Sequence, residues 1–103
     1  MIRVSILYPQ KEGARFDHDY YARKHIPFVR ATLGPFGLVR AEVDKGIAGG
    51  PGELSLLVAA AHLIFDSLDQ FQEAFASVGD QLMADVPNYT DIVPRVQFSE
   101  MVD

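Results

Sequence analysis

The run from Leu54 to Phe65 reads Leu-Ser-Leu-Leu-Val-Ala-Ala-Ala-His-Leu-Ile-Phe and constrains this chain more than any other stretch. Its spacing predicts a strand that is apolar on both faces. Leu57, Ala59, Ala61, Leu63 and Phe65 fall on one side, and Leu56, Val58, Ala60 and Ile64 on the other. A strand of this kind belongs inside a sheet, with something packed above it and something below. The chain has only 103 residues with which to supply those layers. A domain of that size buries roughly 60–65% of its unfolded surface, so one chain has little room for both a core and a deep private cavity.

The remaining segments arrange themselves around that strand. Ile2, Val4, Ile6 and Tyr8 alternate as a first strand ended by Pro9. Asp17 reads as a helix N-cap, with Asp19 near the positive end of the dipole. Ala22, Ile26, Val29 and Leu33 follow at helical spacing up to a stop at Gly34-Pro35. Pro27 falls inside that pattern, removes the bond to the carbonyl of Arg23, and predicts a kink or break near His25 to Pro27. Phe36 to Asp44 reads as a second strand, and Lys45 to Gly52 as a hairpin loop. Ser67-Leu68-Asp69-Gln70 fits a capping box at the start of a second helix, whose apolar stripe is Leu68, Phe71, Phe75 and Val78. Ala84 to Asp91, containing Pro87, reads as irregular, and Val93 to Met101 as the last strand.

The order is β-α-β-β-α-β, which predicts a ferredoxin-like α+β fold across residues 1–103: a four-stranded antiparallel sheet with two helices on one face. Phe16-Asp17 and Phe65-Asp66 both stand at helix entries, a weak internal echo at the two positions the pseudo-symmetry relates. Two helices cover one face of such a sheet. The doubly apolar third strand then predicts a homodimer through the other face.

Composition removes several classes of function. Nine Lys and Arg against fourteen Asp and Glu give a net charge of −5, and no basic cluster is present, so nucleic acid is not an expected partner. No apolar run reaches membrane-spanning length. The alternating start Met1-Ile2-Arg3-Val4-Ser5 lacks the blocks of a signal peptide, and the chain has no cysteine, so the cytoplasm is the expected location. No metal set or cofactor motif is present. The Gly46 to Gly52 loop lacks the Lys-Ser/Thr ending of a phosphate loop, and no Gly-x-Ser-x-Gly elbow occurs.

The residues able to carry chemistry gather around Pro27. His18, Tyr21 and His25 are three and four apart, on one helical stripe, with Tyr20 beside them. His25 reads either as a general base or ligand hydrogen-bonding group, or as a partner for a backbone carbonyl freed by Pro27. Asp85 has the chemistry to orient His25 as carboxylates orient catalytic imidazoles. Asp85 and Asn88 equally suit turn capping. His62, alone in an apolar strand, reads as a satisfied core or interface histidine, or as a ligand contact between sheets beside Arg95 or Gln97.

Three blocks resemble one family. Phe16-Asp17-His18-Asp19-Tyr20-Tyr21-Ala22-Arg23-Lys24-His25-Ile26-Pro27 is similar to the Phe-Asp…Tyr-Tyr…His-x-Pro signature of the EthD family, named for ethyl tert-butyl ether degradation. Leu63-Ile64-Phe65-Asp66-Ser67 and Ala84-Asp85-Val86-Pro87-Asn88-Tyr89-Thr90 resemble its later blocks. The resemblance implies a dimeric α+β barrel, and singles out His25 and Pro27, Phe65 and Ser67, and Asp85 and Pro87. Related superfamily members include cofactor-free monooxygenases, lactone isomerases and haem-dependent enzymes, so the resemblance does not choose a reaction. The expectation is a protein that binds a small organic molecule between helices and sheet. His25 and Asp85 would be catalytic, Tyr20, Tyr21, His62 and Asn88 ligand-binding, and no cofactor or metal needed, in cofactor-independent catabolism. The alternative is a non-catalytic accessory or binding protein of an oxygenase system.

Overall fold

In the computed structural model, which describes residues 1–103, β1 (Ile2–Pro9) lies at the centre of a four-stranded sheet. It pairs antiparallel with β3 (Leu57–Phe65) on one side and with β4 (Arg95–Glu100) on the other. β2 (Arg40–Lys45) completes the order β2-β3-β1-β4 as an edge strand. This is the ferredoxin-like α+β arrangement that the β-α-β-β-α-β order predicts. No helix is long and apolar enough to cross a membrane.

The first helical segment is continuous but not uniform. Asp17 caps it by accepting from the Tyr20 amide at 3.0 Å. A short α1 (His18–Tyr20) leads into a π-helical turn at Tyr21–His25 and then α2 (Ile26–Leu33). The predicted break does not occur. Ile26 keeps helical backbone angles, and its amide reaches back five residues to the Tyr21 carbonyl. The π turn absorbs Pro27 by widening the coil just ahead of a residue that has no amide to donate. The extra residue in that turn also rotates the buried stripe. Tyr21, His25, Ile26, Val29 and Leu33 face inward, whereas Ala22, expected on the stripe, is exposed.

Gly34-Pro35 ends α2 through a 3-10 turn (Gly34–Phe36) that closes at Gly37, whose φ of 99° favours glycine. That turn consumes the start of the expected second strand, so β2 begins at Arg40. α3 (Leu68–Ala84) is capped by Ser67, which accepts from the Gln70 amide at 3.2 Å. The predicted Phe-Asp echo is therefore offset at its second copy, where Ser67 rather than Asp66 caps. A 3-10 turn (Val86–Asn88) follows α3 and leads to β4.

Val4, Val29, Leu33, Leu63, Phe65, Phe71 and Ala74 form one core cluster, where α2 and α3 cross the sheet. Tyr8, Tyr21, Ile26, Ala59, Ala61, Tyr89 and Ile92 form a second cluster toward the Pro9 end of β1. The sheet's other face is not the open apolar patch expected from β3. In register, Ile64 lies between Arg3 and Arg40, His62 between Ser5 and Glu42, and Ala60 between Leu7 and Asp44. Arg3 reaches over β3 to Glu42 at 3.7 Å, and Ile64 and Ala60 are buried within the single chain. Long charged side chains cover what flanking apolar residues would have left bare.

Candidate functional site

The site is assembled by a tie between the entrance of the first helix and the segment after α3. Phe16 makes an isolated bridge with Thr90, the Asp17 amide donates to the Tyr89 carbonyl at 2.7 Å, and Thr90 Oγ1 donates to the Arg15 carbonyl at 2.7 Å. Arg15 adds a guanidinium bond to the Pro87 carbonyl at 2.8 Å. These contacts set Asp85, at the C-terminal end of α3, against the π turn that carries His25.

Asp85 is the hub. Its Oδ2 accepts from His25 Nδ1 at 2.9 Å, and its Oδ1 accepts from the Tyr20 hydroxyl at 2.7 Å and from Asn88 Nδ2 at 2.9 Å. Asn88 Nδ2 also lies 3.4 Å from the Tyr20 hydroxyl oxygen. Burial alone would raise the Asp85 pKa, but the three hydrogen bonds outweigh it and hold the carboxyl below its ordinary range. Burial lowers the His25 pKa and outweighs the pull of the carboxylate, so the ring is neutral at pH 7 beside an ionised Asp85. An ionised carboxylate can only accept, so Nδ1 carries the proton and Nε2 keeps a bare lone pair. Nε2 has no hydrogen-bond partner in the chain. The expectation that Asp85 meets His25 corresponds to this contact, and His25 makes no bond to a carbonyl freed by Pro27.

His25 also borders an apolar cleft of about 520 Å³ between α2, α3 and the sheet. Ile26, Val29 and Leu33 form one wall, Phe71, Phe75, Leu82 and Met83 a second, and Ile6, Ala61, Leu63, Val96 and Phe98 the floor. Of nineteen lining residues sixteen are hydrophobic, and none is a carboxylate, lysine or arginine. Space exists because β3 presents Ala61 here and because α3 leaves β4 uncovered, so that Val96 and Phe98 remain half exposed. Tyr21 lines the cleft beside His25, its ring nearly parallel at 16° with centroids 5.7 Å apart. The Tyr21 hydroxyl is buried and has no partner. Burial raises its pKa far above the usual tyrosine range, so it stays protonated. Its neighbour Tyr8 is satisfied by a 2.6 Å bond to the Tyr89 hydroxyl.

The expected site residues therefore separate into three groups. His25 and Tyr21 face the cleft. Asp85, Tyr20 and Asn88 stand behind His25 and line none of it. His62 lies on the opposite face of the sheet, bonded to Ser5 Oγ through Nδ1 at 2.8 Å and 3.3 Å from Asp44 through Nε2. His18 packs on Phe16, and of the expected stripe only Tyr21 and His25 bring their rings together. Sequence reasoning did not single out Met83, Val93, Val96 and Phe98 as cleft lining, and named Phe75 only for the apolar stripe of the second helix. Their only signal was apolar side chains on the last helix and strand beyond what two helices can cover.

The EthD domain family model matches residues 11–92. The chain belongs to the EthD family. This EthD domain is similar over its whole length to a solved EthD-like protein from Ralstonia eutropha JMP134. The two are 43% identical with a TM-score of 0.92, the match covering 99% of this chain and 92% of that one. An EthD family protein from Bacillus halodurans C-125, 21% identical over 99% of both chains, gives a TM-score of 0.76. An Arabidopsis thaliana protein at 11% identity gives 0.73, covering 100% of this chain and 97% of that one, and shares the fold. No curated protein matches this chain.

Proposed function

We propose that this EthD domain binds a small, mainly apolar organic molecule in the cleft beside His25, and that His25 is its acid–base group. The observation that carries the reading is an imidazole held by Asp85 through Nδ1 at the wall of an apolar cleft. About 520 Å³ falls within the range of small-molecule sites, which are typically ~300–1,000 Å³ and apolar with a few placed polar groups. The Asp85 carboxylate stabilises the imidazolium that forms when Nε2 takes a proton, which is the role of a buried carboxylate behind a catalytic histidine. A proton transfer or a cofactor-independent oxidation in catabolism of an organic compound uses such a base.

The same geometry without turnover suits an accessory or binding protein of an oxygenase system. The second copy proposed for the functional unit would lie against the charged face that carries Arg40, Glu42, Asp44 and Arg95. The exposed Leu54 and Leu56 at its margin favour that placement. Light scattering that returned the 11.4 kDa monomer at micromolar concentration would remove this part of the reading.

Two variants test the site. H25N keeps a side-chain N–H near the position of Nδ1 for Asp85 and removes Nε2. V96W places a large ring over the half-exposed floor of the cleft. Both are expected to fold, with V96W losing ligand binding and H25N losing turnover or polar-ligand affinity. Ligand binding undiminished in V96W contradicts the cleft as the site. Loss of stability alone in H25N would make His25 a structural residue.

A further inference from the structure

Resting on that reading, we infer that the cleft selects a neutral, flat apolar molecule bearing a hydroxyl on a conjugated skeleton, a phenol or enol, whose O–H donates to His25 Nε2. Two polar groups on neighbouring near-parallel rings lack partners in the chain, and they lack different things. Nε2 is an acceptor, because Asp85 holds the proton of His25 on Nδ1. Tyr21 is 3% exposed and lines the cleft, and its buried hydroxyl has nothing to donate to. A polar group left unpaired once a ligand closes the cleft off from water costs free energy, so the best ligand satisfies both. A single hydroxyl does so, since one oxygen both donates and accepts.

The walls exclude other chemistries. No cation lines the cleft to receive a carboxylate or phosphate, and no carboxylate lines it to receive an ammonium. A charged ligand would lose its hydration with nothing to replace it. Phe71, Phe75, Phe98 and Tyr21 give the cleft aromatic surfaces suited to a planar skeleton. Conjugation matters for the proton as well. When the O–H bond breaks, the proton forms the Nε2–H bond and the electron pair stays on the ligand oxygen, giving an oxyanion beside an imidazolium braced by Asp85. A phenol or enol delocalises that charge, and an aliphatic alcohol does not.

The test compares three naphthalenes of one size: 2-naphthol, 2-methoxynaphthalene and 2-naphthoate. Binding is measured by calorimetry at pH 7 to the wild-type chain, H25N and Y21F. The wild type is expected to bind 2-naphthol roughly tenfold or more tighter than the methyl ether, with 2-naphthoate weakest. H25N is expected to bring 2-naphthol down to the ether's affinity while leaving the ether unchanged. Y21F, which removes only the donor and leaves the core filled, is expected to narrow the same gap. Equal binding of naphthol and ether to the wild type overturns the hydroxyl inference and leaves the cleft reading standing. So does a preference that survives in both variants. Failure of all three naphthalenes to bind overturns the cleft reading, and this inference with it.

Discussion

Replacing Asp85 by Asn perturbs the hub while conserving its shape. The wild-type carboxylate accepts three hydrogen bonds at 2.7–2.9 Å, from Tyr20, Asn88 and His25. The amide has one accepting oxygen, and its NH2 must turn toward at least one former donor. A hydrogen bond to a charged group is worth about 1.5–3 kcal/mol against about 0.5–1.5 kcal/mol for a neutral pair. The His25 contact is the drier one, with side chains 8% and 17% exposed, so it keeps most of that difference. Tyr20 and Asn88 are closer to water and contribute less. The sum for D85N is a loss of about 2 kcal/mol, which lowers Tm by roughly 10 °C for a domain of this size. Urea unfolding of wild type, D85N, H25N and the double variant measures it. The double-mutant cycle is expected to return about 1–2 kcal/mol of coupling between Asp85 and His25. A D85N loss under about 0.5 kcal/mol, or a coupling indistinguishable from zero, would refute the argument that Asp85 fixes the imidazole.

Stability is expected to depend on pH at both ends. Because burial lowers the His25 pKa, the unfolded chain binds a proton that the folded chain refuses, and stability falls as pH drops below about 6.5. The depressed Asp85 pKa adds a further loss below about 3.8, whereas the raised Tyr8, Tyr21 and Tyr89 pKa values remove stability above about 10, so urea titrations should peak between. H25N should lack the loss that sets in below about pH 6.5 and keep the alkaline one; a wild-type profile flat from pH 5 to 7 would contradict a neutral buried His25. Y21F should be neutral or stabilising by up to about 1 kcal/mol in thermal unfolding, because the hydroxyl it removes has no partner. G37A should cost about 1–2 kcal/mol, since a Cβ at φ 99° is strained and would land on the Gln70 amide; an unchanged urea midpoint would count against that turn.

Much of the architecture was legible because hydrophobic period and capping signals agree. The alternation of Ile2 to Tyr8, the Asp17 and Ser67 caps and the strong run at β3 specify the element order and the sheet. The π turn was not legible. Pro27 announces a disturbance, but whether the helix breaks or widens depends on the packing of Tyr21 and His25 against Tyr89. That choice decided that Tyr21 rather than Ala22 is buried. The outer face was misjudged for a related reason. Period-two patterning counts apolar residues along β3, but the Arg3 and Glu42 side chains that cover Ile64 come from strands on either side. His25 and Asp85 were both identifiable, 60 positions apart, as chemically suited partners. The cleft was not, because an unfilled volume is a difference between side-chain sizes on β1, α2, β3, α3 and β4 and leaves no local mark.

Everything proposed for the cleft depends on Asp85 fixing His25 with Nδ1 protonated and leaving Nε2 bare beside the apolar cleft. Long-range 15N–1H correlation spectra of the histidine rings measure it directly, with H25N identifying the His25 signals. From pH 6.5 to 8, His25 is expected to show one protonated nitrogen, assigned to Nδ1, and one bare nitrogen at Nε2 that shifts when 2-naphthol is added. A His25 ring protonated at Nε2, or an imidazolium at pH 7, would contradict that arrangement.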